Sequence, residues 1–136
     1  MYKSIIKRLV DFLMSVIICL LLMPFFIIIY LAVKLDSKGS FFFFQKRLGE
    51  NGELFKVFKI RTMTDKKREV DQEILKGNLE VTRVGAVLRR LKIDELPQII
   101  NILKGDMSFV GPRPCMPELQ ERFNEDGEKR IQVRPG

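Results

Sequence analysis

The sequence predicts an α+β protein: an apolar N-terminal helix embedded in a membrane, followed by a small, mostly helical domain with one β-hairpin. Three observations predict it. Residues 12–33 hold 22 consecutive uncharged positions. Two segments rich in aromatic and β-branched residues flank the turn signal Gly49-Glu50-Asn51-Gly52. Beyond them, apolar residues recur at helical spacing over 84–91 and 96–103.

At about 1.5 Å per residue the uncharged run makes a helix about 33 Å long, enough to cross a bilayer core. A cleaved signal peptide fits poorly, because the apolar run is too long and no small-x-small site follows. A buried core helix fits worse, since the run is apolar on every face. Pro24 stands in mid-run, where it removes a backbone hydrogen bond and kinks or breaks the helix. Both flanks are basic, with Lys3, Lys7 and Arg8 before the run and Lys34, Lys38, Lys46 and Arg47 after it. A crossing helix is expected to show asymmetry here. A fold-back at Pro24 would give arms of about 18 and 14 Å, each half a bilayer, with both flanks on one side. Kinked spans are the commoner arrangement, and these grounds leave both open.

Ser40–Arg47 reads as a strand opened by Phe41 to Phe44, and Leu54–Met63 as its return. In the return strand Lys59 and Arg61 are two apart, so they are expected on one face, with Phe58 and Ile60 on the other. An ordinary solvated face explains the pair as well as a binding surface does. Thr64–Gly77 is dense in charge and reads as an exposed helix or loop, without assigned chemistry. Thr82–Leu91 predicts a helix with Val84, Val87, Leu88 and Leu91 along one stripe and Arg83, Arg89 and Arg90 around it. Such arginines most often face water or lipid heads.

Leu96, Ile99, Ile100 and Leu103 form the next stripe. Pro97 fits only the first turn, which puts the helix start near Asp94; Gly105 supplies the stop, with Lys104 at the C-terminal dipole end. Asp94 could simply cap the helix. One cap needs only one carboxylate, so Glu95 is left over. Two adjacent carboxylates with arginines nearby suit a metal-assisted phosphoryl site. In Gly111-Pro112-Arg113-Pro114 two prolines hold Arg113 in extended backbone, which lowers the entropy cost of offering it to an anion. A plain loop accounts for the same residues. Pro117–Arg130 reads as a polar helix, and Arg134-Pro135-Gly136 as a turn.

Composition narrows the chemistry. The formal charge is +7; Lys3, Lys7 and Arg8 against Asp11 account for +2, leaving +5 to residues 34–136. That surplus suits phospholipid heads, nucleotides or diphosphates. Nucleic acid fits less well, because acidic residues interleave with the basic ones and no binding motif is present. With no histidine, Ser-His and Cys-His nucleophiles and imidazole acid–base work are excluded. Cys19 and Cys115 are too few for a structural zinc site, and their placement argues for a reducing compartment rather than a disulfide. Catalysis, if present, rests on carboxylates, basic groups, hydroxyls or a bound metal.

Several stretches together resemble the bacterial sugar transferases, the monotopic phosphoglycosyl transferases. They are Phe58-Lys59-Ile60-Arg61-Thr62-Met63, Leu91 to Gln98 with its Asp-Glu-Leu-Pro-Gln string, Leu103 to Pro114 with Lys-Gly-Asp-Met-Ser-x-x-Gly-Pro-Arg-Pro, and Val133-Arg134-Pro135-Gly136. Lys7-Arg8-Leu9-Val10-Asp11 before an apolar run also fits. The resemblance covers essentially the whole chain. It implies a re-entrant membrane helix over residues 1–35 broken at Pro24, which reverses the preference for a span, and a cytoplasmic catalytic domain over 36–136. It also implies transfer of a phosphosugar from a UDP-sugar to a polyprenyl phosphate, undecaprenyl phosphate, at the cytoplasmic face of the bacterial inner membrane, starting a surface glycan. Asp94 would be the covalent nucleophile, Asp94 and Glu95 would hold Mg2+, and Lys59, Arg61, Arg89 and Arg113 would bind substrate. The chemistry agrees with the residues: a carboxylate can attack phosphorus without histidine, and diphosphate charge calls for cations. Two departures stand out. Met23 replaces the serine usual before the proline. The family continues past the Arg-Pro-Gly turn, so the domain is expected to be incomplete at its C-terminal end, and an inactive membrane-anchored fragment or scaffold is the alternative reading.

Overall fold

The computed structural model describes residues 2–64, 80–118 and 125–136. One long helix, α1 (Tyr2–Asp36), precedes a two-stranded antiparallel sheet of β1 (Phe42–Leu48) and β2 (Leu54–Ile60). Then come α2 (Arg83–Arg90), a 3-10 segment Ile93–Gln98, α3 (Ile99–Lys104) and α4 (Glu125–Ile131). The α+β class and the β-hairpin match expectation. The charged stretch expected over Thr64–Gly77 lies outside the described residues from residue 65 on. Of the polar helix expected over Pro117–Arg130, residues 119–124 lie outside them and α4 is its described part.

α1 departs from expectation. It is one helix with Pro24 inside it, not two arms folded back on each other. A proline costs a helix one hydrogen bond and a displaced turn, and Met23 offers no hydroxyl to a freed backbone group. Leu20, Leu21 and Ile28 are each about two-thirds exposed at 67, 67 and 66%. Apolar surface bared on this scale marks a face that meets lipid or a partner. Among the described residues, Ile5–Asp36 is the one stretch long and apolar enough to cross a membrane.

Both ends of α1 are fastened to the same domain. Near the N-terminus, Arg8 donates to the carbonyls of Ile102 and, at 2.7 Å, Leu103. A guanidinium thus caps the C-terminus of α3, whose last carbonyls lack helical partners and carry the negative dipole end. Lys7 donates to the Val110 carbonyl at 2.8 Å, and the Ser108 hydroxyl donates to buried Asp11 at 2.7 Å. Near the C-terminus, Val33 enters the core with Phe41, Ile60 and Leu88, and Phe26 and Ile29 pack against it. Asp36 accepts from the Val84 N–H at 2.9 Å and so holds the first turn of α2.

The hairpin pairs Gln45 with Val57 and Arg47 with Phe55, which puts Gln45, Arg47, Val57 and Lys59 on one face. The outer edge of β2 is closed by a side chain. Fully buried Asn101 accepts from the Phe58 N–H at 3.0 Å and donates to the Lys56 carbonyl at 2.8 Å. One carboxamide thereby does for this edge what a neighbouring strand would do.

α2 begins where expected, with the Thr82 hydroxyl accepting from the Gly85 N–H at 2.9 Å. A Cβ on Gly85 would lie 2.1 Å from the Thr62 carbonyl oxygen, so glycine lets α2 sit directly on the end of β2. Leu88 is buried, whereas Val87 and Leu91 of the same stripe are more than half exposed.

Candidate active site

Lys59, Glu95 and Arg113 are brought together from β2, the 3-10 segment and the loop after α3. Lys59 Nζ lies 2.9 Å from Glu95 Oε1, and an Arg113 guanidinium nitrogen lies 3.5 Å from the same oxygen. The Lys59–Glu95 bond is partly shielded from water. Arg113 is 82% exposed, so its attraction to Glu95 is weak and its guanidinium stays available.

Local backbone sets the two carboxylates apart. Lys92 adopts the left-handed conformation (φ 57°), uncommon for a residue with a Cβ, and the chain then runs through the 3-10 segment Ile93–Gln98. Regular α-bonding begins only at Ile99. Gly105 takes positive φ (98°) at the end of α3, as its position predicts. The N-cap of the 3-10 segment is Lys92, so Asp94 does not serve as a helix cap.

Their electrostatics differ accordingly. Burial pushes the Asp94 carboxyl above the usual range, adjacent Glu95 adds to this, and Lys59 and Arg89 pull part of it back. Burial acts in the same direction on Glu95, but the Lys59 hydrogen bond and charge, with Arg113, outweigh it and hold that carboxyl low. Two neighbouring carboxylates driven apart in acidity are a recurring sign of divided chemical roles. Among the described residues, no lysine or arginine nitrogen lies within 4.0 Å of the Asp94 carboxylate.

A polar cavity of about 230 Å³ opens beside this cluster, walled by Arg47, Lys59, Glu95, Gln98, Arg113 and Gly136 among others. A larger, mostly apolar cavity of about 640 Å³ lies between α1 and the domain, reached by Met23, Tyr30, Phe41, Pro97 and Ile100. Pro97 puts it two residues from Glu95. The Arg113 loop is closed from behind by residues 134–136. The Gly136 N–H donates to the Pro112 carbonyl at 2.9 Å, and the Ser108 N–H to the Pro135 carbonyl at 2.9 Å. A Cβ on Gly111 would lie 2.3 Å from the Arg134 carbonyl oxygen, so this contact requires glycine.

The other expected binding residues sit elsewhere. Arg89 is on the Asp94 side and donates to the Thr62 hydroxyl at 2.8 Å. Arg61 is the correction: it is buried and donates to the carbonyls of Lys38 and Ser37 and to the Ser37 hydroxyl. Its guanidinium pins the α1–β1 connection, and it does not line the polar cavity. Arg47 and Gln98 were overlooked as site residues. The hairpin register signals Arg47, since it shares a face with Lys59; Gln98 stands in the Asp-Glu-Leu-Pro-Gln string itself.

Among the described residues there is no group of three or more metal-ligating side chains. The donor set present suits a hard cation that keeps several waters and takes further oxygens from substrate phosphates, as Mg2+ does with one or two carboxylates. Asp94 and the Glu95 oxygen not engaged by Lys59 are the carboxylate oxygens that such a cation would use.

Comparison with known proteins shows the family of the chain. The family model described as bacterial sugar transferase matches residues 2–136. The exopolysaccharide production protein ExoY of Sinorhizobium fredii is 38% identical over 149 residues, covering 98% of this chain and 66% of that protein. The undecaprenyl-phosphate glucose phosphotransferase of Komagataeibacter xylinus is 41% identical over 138 residues, covering 96% of this chain and 26% of the relative. The UDP-glucose:undecaprenyl-phosphate glucose-1-phosphate transferase of Caulobacter vibrioides is 39% identical over 134 residues, covering 96% and 50%. The chain thus spans from a quarter to two thirds of the length of these relatives.

Proposed function

The chain belongs to the bacterial sugar transferase family, and from that premise we propose that it transfers a phosphosugar from a UDP-sugar to undecaprenyl phosphate through a covalent Asp94 intermediate. The observation that carries this reading is the environment of Asp94. It is a half-buried carboxylate with no cation bonded to it among the described residues, beside a lysine and an arginine gathered on Glu95. A carboxylate so placed is poorly solvated and free to attack.

In the first step an Asp94 oxygen bonds to the sugar-bearing phosphorus while the bond to the bridging oxygen breaks, and uridine monophosphate leaves with that electron pair. In the second, a phosphate oxygen of the lipid acceptor attacks the same phosphorus, and the aspartyl–phosphorus bond breaks to restore the carboxylate. Lys59 and Arg113 face charge that builds on the phosphoryl oxygens, and Glu95 orients Lys59. Bound Mg2+ would be held by Asp94 and Glu95 and would neutralise diphosphate charge. The names of the relatives that act on undecaprenyl phosphate support the acceptor, and one of those names carries UDP-glucose as donor. Such a product would begin a surface glycan.

The way α1 is held supports re-entrant insertion from the cytoplasmic face. A crossing helix delivers its ends to opposite faces about 30 Å apart. Here Arg8 and Asp11 at one end and Val33 and Asp36 at the other bind one charged domain, which cannot lie within the bilayer. Ends on the same side, with basic flanks facing the cytoplasm, meet both constraints.

The test is release of uridine monophosphate from UDP-sugars by the protein in nanodiscs with Mg2+, and its intact mass after donor alone. A phosphosugar adduct in the wild type that is lost in Asp94→Asn is expected. Nucleotide release equal in the two proteins would sink the covalent reading.

A further inference from the structure

Arg47 occupies a position that the carboxylate pair does not explain. It sits on the hairpin face shared with Lys59 and lines the same 230 Å³ cavity as Arg113, on the opposite strand from the lysine. Its guanidinium donates to the Gln45 Oε1 at 2.8 Å, which fixes its direction without neutralising it. Among the described residues no carboxylate lies within 4.0 Å of it. Burial and then the charge of Arg113 lower its proton affinity, and Glu118, Cys115 and Glu95 offset part of this. The cavity wall carries Arg47, Lys59 and Arg113 against Glu95 alone. Lys59 bonds Glu95 at 2.9 Å and Arg113 lies 3.5 Å from the same oxygen, which leaves the two guanidiniums as the more weakly engaged cations.

Two like charges drawn together around a small polar hollow, one half-buried and held by a neutral partner, are stabilised when an anion enters between them. We propose that Arg47 and Arg113 form a two-guanidinium clamp for a phosphoryl group of the substrate. Guanidiniums suit this task because each presents a planar fork matched to phosphate oxygens. Gly111 and the two prolines restrain the backbone at Arg113, and Gln45 holds the Arg47 side chain, which lowers the freedom lost on binding. A hollow of about 230 Å³ has room for a diphosphate or phosphate head. The inference rests on the transfer reading above. The phosphoryl group could belong to the donor diphosphate or to the lipid acceptor's phosphate.

The experiment measures affinity of the full chain in detergent for two probes, uridine diphosphate and geranyl phosphate, by calorimetry. It compares the wild type with Arg47→Gln, Arg47→Lys, Arg113→Gln, the double glutamine variant, and Arg83→Gln as an exposed control on α2. Arg47→Gln is expected to weaken at least one probe by about tenfold or more, the scale of a lost charge-assisted hydrogen bond. The probe affected identifies the source of the phosphoryl group. The double variant is expected to lose less than the product of the single losses, because both residues grip one group. Arg47→Lys should recover only part of the affinity, since an ammonium cannot fork. Binding of both probes by Arg47→Gln no weaker than by Arg83→Gln overturns the clamp, as do single losses that simply multiply. Should glutamine unfold the hairpin, Arg47→Lys decides, and wild-type affinity there overturns the proposal. Clamped UDP binding without nucleotide release would instead sink the transfer reading and leave the clamp standing.

Discussion

Replacing Lys59 by methionine tests the electrostatic design of the site most directly. The substitution keeps the stem and removes the ammonium that bonds Glu95 at 2.9 Å and acts on Asp94 through space. The side chains are 18 and 34% exposed. A hydrogen bond to a charged group in such a setting contributes about 1.5–3 kcal/mol; discounting for solvent on the Glu95 side and for remaining Arg113 leaves about 1–2 kcal/mol. At about 4–8 °C per kcal/mol for a domain of this size, the melting temperature at neutral pH should fall by roughly 4–16 °C. The sign with pH follows from the direction of each shift. Glu95 is held low in the folded state, so this stabilisation is complete above the ordinary glutamate range and is lost as pH falls through the depressed value. The gap between wild type and variant should therefore hold from neutral pH down to the ordinary glutamate range and close only below it. Lys59 also pulls Asp94 down. Without it Asp94 holds its proton to higher pH, so on the proposed mechanism the acid limb of kcat/KM, followed by nucleotide release, should move upward. Coincident acid limbs, or a melting gap that persists unchanged into acid, would refute the argument.

Asp94→Asn should abolish the covalent adduct yet melt at or above the wild-type temperature at neutral pH, because it removes a carboxylate whose ionised form burial disfavours; scanning calorimetry checks this, and clear destabilisation counts against it. Asn101→Leu leaves the Phe58 N–H and Lys56 carbonyl without their partner at about 1–3 kcal/mol each, so urea denaturation should show a loss on that scale or larger. Gly85→Ala forces a methyl to within 2.1 Å of the Thr62 carbonyl unless α2 shifts; a loss of about 1–3 kcal/mol with reduced turnover is expected, since Arg89 leans on Thr62 from the same helix. A neutral Gly85→Ala variant in both assays would show that the corner is looser than its packing implies.

Features governed by local sequence were legible in advance. The hairpin followed from turn residues and strand composition, the start of α2 from Thr82 and the end of α3 from Gly105, because caps and turns are short-range chemistry. Asp94 and Glu95 stood out as one carboxylate more than a cap requires. The 3-10 form of Ile93–Gln98 did not stand out, since Pro97 is compatible with either kind of first turn. The burial of Arg61 against the carbonyls of Lys38 and Ser37 was not legible, since those partners lie 23 and 24 residues away. Asn101 passed unnoticed as one polar residue beside an apolar stripe, and its role depends on β2, whose Phe58 is 43 residues away. The contacts of Arg8 with Ile102 and of Asp11 with Ser108 span 94 and 97 residues, and no local periodicity carries such information.

Those long-range contacts bear on how the anchor relates to the chemistry. The N-terminal end of α1 holds the last turn of α3 and the loop from Ser108 to Val110, directly before the Gly111–Pro114 segment that presents Arg113. Its C-terminal end holds the corner formed by Ile60, Val84 and Leu88, from which Lys59 and Arg89 reach the two carboxylates. The cations of the site thus arrive from two sides, and each side is bonded to a different end of the same helix. A change in the course of α1 between its two ends would alter the spacing between those sides, and with it the approach of Arg113 to the Lys59–Glu95 pair. Were the helix only a tether, one end would suffice to hold the domain at a membrane. Attachment at both ends makes the membrane helix part of the frame that sets the geometry of the site.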